Sequence, residues 1–503
     1  MFSFRKNPRR LAAVLTGLAA FTATSLRGAP TRPNILFILA DDHTSQAWGV
    51  YPSILTPVID NPNIRRLTRE GTLLQQAFCA NSICTPSRAT ILTGQYSHHN
   101  DVYTMMNGLD PAHRNVAQLL QAAGYQTAIF GKWHLHYEPS GFDTFRVLPG
   151  QGRYHDPLFK GADNWQDGDK GGTPIKGFST DVIGDLCLDW LAKRNPARPF
   201  MLMCHFKATH EPFDYAPRYA HLYDNVEMPE PPTLYEFGPG ASGRNFSGQT
   251  LEILGDRYEE KASVGFDYPG KFDLPPGISE HERRHLIYQK FVKDFLRSGR
   301  GIDDNIGRLL QYLDDAGLAK DTIVIYTADQ GYFLGEHGFF DKRMMYEEPL
   351  RMPFVIRYPV EVRAGARLDD MVQNIDFAPL LLDYAGLKES ADMDGRSFRA
   401  NLAGHTPEGW RQEIYYRYWQ QQKDRPAHFG IRSRTDKLIR FYGRALHMDD
   451  APAVNTPPAW EYYDLTIDPH ETKNRFTDPV YQDRIKTLQH HLADLKQQVG
   501  DLE

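Results

Sequence analysis

Cys84-Thr85-Pro86-Ser87-Arg88 places a nucleophile-sized side chain where a helix is about to begin. Pro86 suits the first helical position, Ala89-Thr90-Ile91-Leu92 continues a helix-compatible run, and Gly94 is a reasonable stop. The predicted helix is short, with Cys84 near its positive end. Free backbone N–H groups and the helix dipole favour an anion there, and Arg88, one turn in, adds a planar multi-donor cation suited to tetrahedral oxyanions. Taken alone, the same Cys reads first as a buried free thiol, because free Cys is among the most buried residue types.

The elements that must position these residues are apolar strands with polar ends. Asn34 to Ala40, Gln126 to Phe130, Pro199 to Phe206, Thr322 to Ala328 and Phe354 to Tyr358 have strand length and are nearly continuous in hydrophobicity, which predicts a sheet covered on both faces. Helical patterns lie between them: Asn115 to Ala123 before Gly124, Thr180 to Lys193, and Leu286 to Asp315 before Gly317. That alternation predicts an α/β layered domain. Asp41-Asp42 follow the first strand, Lys132-Trp133-His134 the second, His205 and His210 lie at and beyond the end of the third, and Asp329-Gln330 follow the fourth. Open α/β sheets bind ligands outside the carboxyl ends of their strands, so these loops are expected to converge.

Asp41, Asp42, Asp329 and Gln330 offer three carboxylates and an amide carbonyl, a hard oxygen set that prefers calcium or magnesium to zinc or copper. Each Asp by itself would serve equally as a helix or turn cap. In an extended segment Lys132 and His134 project to the same side.

Cys-x-Pro-Ser-Arg followed by Ala-Thr-Ile-Leu-Thr-Gly resembles the signature of the type I sulfatases, formylglycine-dependent members of the alkaline phosphatase superfamily. Gly131-Lys132-Trp133-His134 resembles a second sulfatase motif, and Ala208-Thr209-His210-Glu211-Pro212 the segment around a further active-site His. Gly331 to Gly338, leading to Asp341-Lys342-Arg343 and Tyr346-Glu347-Glu348, resembles carbohydrate sulfatases of bacterial glycan degradation, including N-acetylglucosamine-6-sulfatases. The resemblance implies that Cys84 is converted to formylglycine by a generating maturase. It implies a calcium site at Asp41, Asp42, Asp329 and Gln330, where Gln330 departs from the commoner Asn or His. By the same likeness Arg88 and Lys132 steady the formylglycine hydrate, His134 takes the proton that lets the sulfated form collapse, His210 binds sulfate or protonates the leaving alcohol, and Lys342 binds sulfate. His205, His337 and Arg343 are weaker candidates for substrate contact. The implied fold is a mixed central sheet between helices plus a smaller C-terminal antiparallel sheet with a terminal helix, here Pro479 to Val499. The implied substrate is a sulfated saccharide of host or algal origin. Formylglycine-dependent phosphonate monoester or phosphodiester hydrolases share the nucleophile and layout. A sulfated-glycan binding protein without turnover is a third reading, and an unconverted Cys84 would indicate it.

Composition frames these expectations. A chain of 503 residues with 41% apolar and 24% charged residues is long enough for two or three domains and a large core. A formal charge of −6 gives no support for a nucleic-acid partner, which leaves a basic footprint. Residues 1–29 read as an export signal: Arg5, Lys6, Arg9 and Arg10, then Leu11 to Leu26, then Arg27-Gly28-Ala29. The apolar run is short for a stable membrane insertion, so a periplasmic or secreted location is expected. Cys79, Cys84, Cys187 and Cys204 allow at most one bridge once Cys84 is converted. Residues 30–400 are expected to form the catalytic domain and 401–503 the C-terminal subdomain, with the boundary drawn at the Gly/Pro-containing stretch Asn401 to Trp410. The irregular segment 207–284 carries Tyr215, Tyr219, Tyr223, Tyr235, Phe237, Phe246, Tyr258 and Tyr268, either packed on the body or offered to sugar rings.

Overall fold

Apolar runs with no polar face fold into the middle of a layered structure. The computed structural model describes residues 32–166, 168–235, 247–259, 267–446, 448 and 454–503. The export signal, Phe237 and Phe246 lie outside the described residues. The central sheet contains β1 (Asn34–Asp41), β2 (Thr72–Leu74), β3 (Gln126–Lys132), β4 (Thr144–Leu148), β5 (Phe200–Thr209), β6 (Thr322–Ala328), β7 (Phe354–Arg357) and β8 (Ala366–Leu368). Their order is β8-β2-β7-β6-β1-β5-β3-β4. Only β7 runs against its neighbours, so the sheet is mixed.

Strand β1 lies at the centre, with Ile35 opposite Met201 of β5 and Ile323 of β6. Successive side chains leave a strand on opposite faces, so one run feeds two cores. Ile35, Phe37 and Leu39 pack with Leu120, Phe377 and Leu381. Leu36 and Ile38 pack with Ile183, Cys187, Ile306 and Leu310 on the helices Ser179–Lys193 and Glu280–Asp315. Each such side chain contributes roughly 1.5–3 kcal/mol by leaving water. The second of these helices begins six residues before the expected Leu286, because the Ser279 hydroxyl accepts the Glu282 N–H at 3.1 Å and Glu280 and Glu282 sit at its positive end.

A separate antiparallel sheet follows, of β9 (Glu413–Tyr418), β10 (His428–Ser433), β11 (Asp436–Phe441) and β12 (Ala459–Asp464). The terminal helix Gln482–Gln498 buries Ile485, Leu488 and Leu492 against Tyr415, Ile431 and Tyr462 of that sheet. All four cysteines are free and buried. Of the aromatics in 207–284, Tyr219, Tyr258 and Tyr268 are buried, and Tyr258 meets Tyr268 edge-on at 4.9 Å, so these serve packing.

Two local expectations shift. The helix carrying Cys84 spans Cys84–Thr93, so Pro86 is its third residue; the first-turn N–H groups have no intrahelical acceptor and Pro loses nothing there. Strand β5 continues to Thr209, which pairs with Asp41 after an irregularity, so His205 lies within the strand and not at its end.

Gly131, next to Lys132, is a tight point of this framework. Its φ is 106°, and a Cβ there would stand 1.9 Å from the His205 carbonyl oxygen. Gly131→Ala is therefore expected to cost about 3 kcal/mol, the upper end of ordinary single substitutions, because the clash is with backbone that cannot turn aside. Denaturant unfolding checks this; a midpoint equal to wild type would refute it.

Candidate active site

The carboxyl ends of β1, β3, β5 and β6 meet over the start of the Cys84 helix. Asp41 ends β1, and Asp42 turns the chain sharply with φ 64°. Asp42 donates its N–H to Asp329 Oδ1 at 3.1 Å, and the Asp329 N–H donates to the Ala40 carbonyl at 3.2 Å, so the strand ends lock the carboxylates together. Ile83 precedes the helix without a side-chain cap, leaving first-turn N–H groups free of one, and Gly94 closes it in the left-handed region with its N–H on the Thr90 carbonyl at 2.8 Å.

Around Cys84 the predicted residues come together. Its Sγ is 3.4 Å from Asp41 Oδ1, 3.2 Å from Lys342 Nζ and 3.9 Å from Lys132 Nζ. Lys132 pairs with Asp41 and donates to Gln151 Oε1 at 2.6 Å. Lys342 donates to Asp42 Oδ2 at 2.7 Å. Arg88, 2% exposed, gives Nε to Asp329 Oδ2 at 3.0 Å and Nη1 to the Lys132 carbonyl at 2.7 Å. The Ser87 hydroxyl donates to the Asp329 carbonyl and accepts from Asn374 Nδ2 at 2.9 Å, tying the helix to the end of β6.

Burial and charge set the protonation of these groups. Burial would raise Asp41, but Lys132, His210, Arg88 and Lys342 outweigh it and hold the carboxyl well below its ordinary range. Burial lifts Asp42 to about 6 against the pull of Lys342, and lifts Asp329 to about 7 with help from Asp41. Burial, reinforced by Asp41, pushes the Cys84 thiol up to about 12. A thiol so placed is a poor nucleophile near neutral pH. Burial, then Lys132, holds His134 and His210 well below the usual imidazole value.

The histidines and arginines divide into groups. His210 Nε2 is 3.9 Å from Asp42 Oδ2, and a ligand atom each from His210, Asp41 and Cys84 fit within 4.8 Å of one another. His134 is buried, with φ 56°. His205 stands beside Arg88 instead, its Nδ1 3.2 Å from the Lys132 carbonyl. His337 packs its ring against Tyr346 at 5.1 Å and makes none of the contacts around Cys84 described above. Arg343 faces Asp341 at 3.5 Å. Sequence reasoning missed three groups: Ser87, Gln151 and the buried Lys207. Lys207 directly follows the apolar run that ends at Phe206, and the extension of β5 over it carried no separate signal; Gln151 lies in a turn with no distinguishing pattern.

The acidic set suits a hard divalent cation. One oxygen each from Asp41, Asp42 and Asp329 lie within 4.8 Å of one another, all buried. Gln330 donates its amide to Asp42, while its Oε1 is buried without a hydrogen-bond partner among the described residues, an orphaned oxygen that a cation would satisfy.

Residues 33–387 match the family described as Sulfatase, and residues 335–498 match that described as N-sulphoglucosamine sulphohydrolase, C-terminal. An N-acetylglucosamine-6-O-sulfatase of Bacteroides thetaiotaomicron is 37% identical over 536 residues, covering 99% of this chain and 92% of that protein. The structure of BT4656 in complex with its substrate D-glucosamine-2-N,6-O-disulfate aligns with a TM-score of 0.82 at 34% identity, covering 94% of this chain and 99% of that one. A phosphonate monoester hydrolase of Agrobacterium radiobacter has a TM-score of 0.70 at 20% identity, covering 93% and 96%, a likeness of fold alone.

The raised carboxyls give a stability signature. Asp329 keeps its proton in the folded chain up to about 7 against an ordinary value of 3.8. The stability this contributes is complete below the unfolded value and is lost as pH rises through the folded one. In chelator, wild type should therefore lose stability relative to Asp329→Asn between about pH 4 and about pH 8. At the upper pH calcium should stabilise wild type more than the variant. Unfolding midpoints measure both, and a difference independent of pH and metal would refute the assignment.

Proposed function

Because the chain belongs to the sulfatase family, we propose that it hydrolyses the 6-O-sulfate ester of a glucosamine-type sugar, using calcium and a formylglycine made from Cys84 by a generating maturase. The observation that carries the reading is the focus of Lys132, Lys342 and Asp41 on the residue-84 side chain at the open end of its helix. The sugar rests on the relative and the liganded structure that match nearly the whole chain. Export to the periplasm or medium rests on residues 1–29; no helix among the described residues is long and apolar enough to cross a membrane. Residues 30–400 then form the catalytic domain and 401–503 a subdomain that helps enclose the substrate.

The encoded thiol, with its proton held up to about 12, is unsuited to the reaction. Formylglycine, when present, supplies a hydrated aldehyde with one hydroxyl to attack sulfur and a second whose deprotonation expels sulfate. Asp41, Asp42, Asp329 and Gln330 would hold calcium, which would lower the cost of an anionic oxygen there. Arg88 keeps Asp329 and the Lys132 backbone in register. Lys132 and Lys342 are placed to offset charge on the transferring sulfuryl group. His210 delivers a proton to the departing sugar oxygen, its proton affinity restored by the anionic ester. His134, kept neutral by burial and Lys132, is in the state a proton acceptor needs.

Sulfate release from a panel of sulfated mono- and disaccharides tests the reading, using protein whose residue 84 is confirmed as formylglycine by peptide mass. Release from 6-O-sulfated glucosamines is expected. Turnover of phosphodiesters or phosphonates in its place would assign the chain to the other branch of the superfamily, and no turnover at all would refute an enzymatic role. Cys84→Ala should lower kcat at least about 1,000-fold with an unchanged unfolding midpoint, since it removes the nucleophile from an already buried position. Chelation should likewise abolish sulfate release, with recovery on adding calcium; a rate indifferent to chelator would remove the metal from the mechanism.

A further inference from the structure

Lys207 lies on β5 between His205 and His210 and is 1% exposed. Its burial is unusual because, among the described residues, no ion pair is made with it. Lys132 and Lys342 are paired with Asp41 and Asp42, whereas among the described residues no carboxylate or carbonyl takes the Lys207 ammonium. Its contact is the face of Tyr154, with Nζ 4.8 Å from the ring centre. A ring face offsets only part of the cost of desolvating an ammonium.

The surroundings identify the missing partner. Two residues beyond Lys207, Thr209 pairs with Asp41 and donates its hydroxyl to the Asp41 carbonyl at 3.4 Å, which brings this end of β5 to the border of the same site; the fields of Lys132, Asp41 and Asp42 reach Lys207 there. The segment is also tied to His210: the Tyr154 hydroxyl donates to the His210 carbonyl at 2.6 Å, and the His210 N–H donates to the Lys207 carbonyl at 3.2 Å. We propose that Lys207 is a further anion-binding residue of this site, whose partner is the sulfate group of the ester and, after turnover, inorganic sulfate. The identity of that anion rests on the sulfatase reading. Burial, with the field of Lys132, pulls the free ammonium down to about 7, and an entering anion would restore its charge.

The test compares wild type, Lys207→Met and Lys207→Arg, each loaded with calcium. The readouts are the rise in Tm on adding sodium sulfate, against sodium chloride of equal ionic strength, and kcat and KM for sulfate release. Lys207→Met is expected to melt at or above the wild-type temperature, because it removes an unpaired buried charge. Its response to sulfate should fall below half, and its kcat/KM should fall about 10- to 100-fold, with partial recovery in Lys207→Arg. A Met variant with wild-type sulfate response and kcat/KM would overturn the proposal. So would a lower Tm with unchanged kinetics, which marks a purely structural lysine. If Lys207→Met does not fold, Lys207→Arg decides: sulfate response and KM equal to wild type despite the bulkier head group would overturn the assignment, and altered values with intact Tm would support it. If wild type turns over phosphodiesters and not sulfate esters, the functional reading fails by itself. Phosphate then replaces sulfate as the probe of Lys207.

Discussion

The structure turns on the pairing of buried carboxylates with buried cations where the strands end. Asp41 with Lys132, Asp42 with Lys342 and Asp329 with Arg88 are all withdrawn from water. Each isolated charge would cost several kcal/mol there, so removing one partner leaves a burden that the rest must carry. The arrangement is tolerable only because each carboxylate meets a cation, Lys132 from β3, Arg88 from the Cys84 helix and Lys342 from the segment beyond β6. Such a charge set is costly for stability alone, which is why its presence points to chemistry.

The sheet and the pairing depend on each other. Strand β1 delivers two carboxylates because its central position forces it to stop where β5 and β6 stop, and backbone hydrogen bonds from Asp42 and Asp329 hold the side chains at those ends. The Cys84 helix is held to these ends through Ser87 and Arg88, both anchored on Asp329. The nucleophile position and Arg88 on a helix, and Asp41 and Lys132 at strand ends, are thereby fixed to rigid elements, with Asp42, Asp329 and Gln330 directly following strands, which favours precise chemistry.

Much of this was legible beforehand because the signals were local. Hydrophobic runs of strand length marked β1, β3, β5 and β6, and polar residues at their ends marked the converging edge. The Cys84 helix and its Gly94 stop were visible in residue types alone. The start of the Glu280–Asp315 helix was less visible, since its first turn is set by a Ser279 cap and not by apolar spacing. Lys207 was passed over because the apolar run stops at Phe206, which left the lysine in the irregular segment beyond it, and only the fold shows β5 carrying it into the interior.

The sequence by itself determined which groups could react: a Cys at a helix start, an Arg one turn on, paired acids after an apolar strand, and Lys and His spaced to share a side. These follow from covalent identity and short-range periodicity. Only the tertiary structure decided which cation meets which carboxylate, that among the described residues Gln330 keeps an unpartnered oxygen and the buried Lys207 has no ion pair, and that the Cys84 thiol is held protonated. Those properties depend on desolvation and on contacts between residues up to some three hundred positions apart, as in Lys342 with Asp42, and no local pattern encodes them.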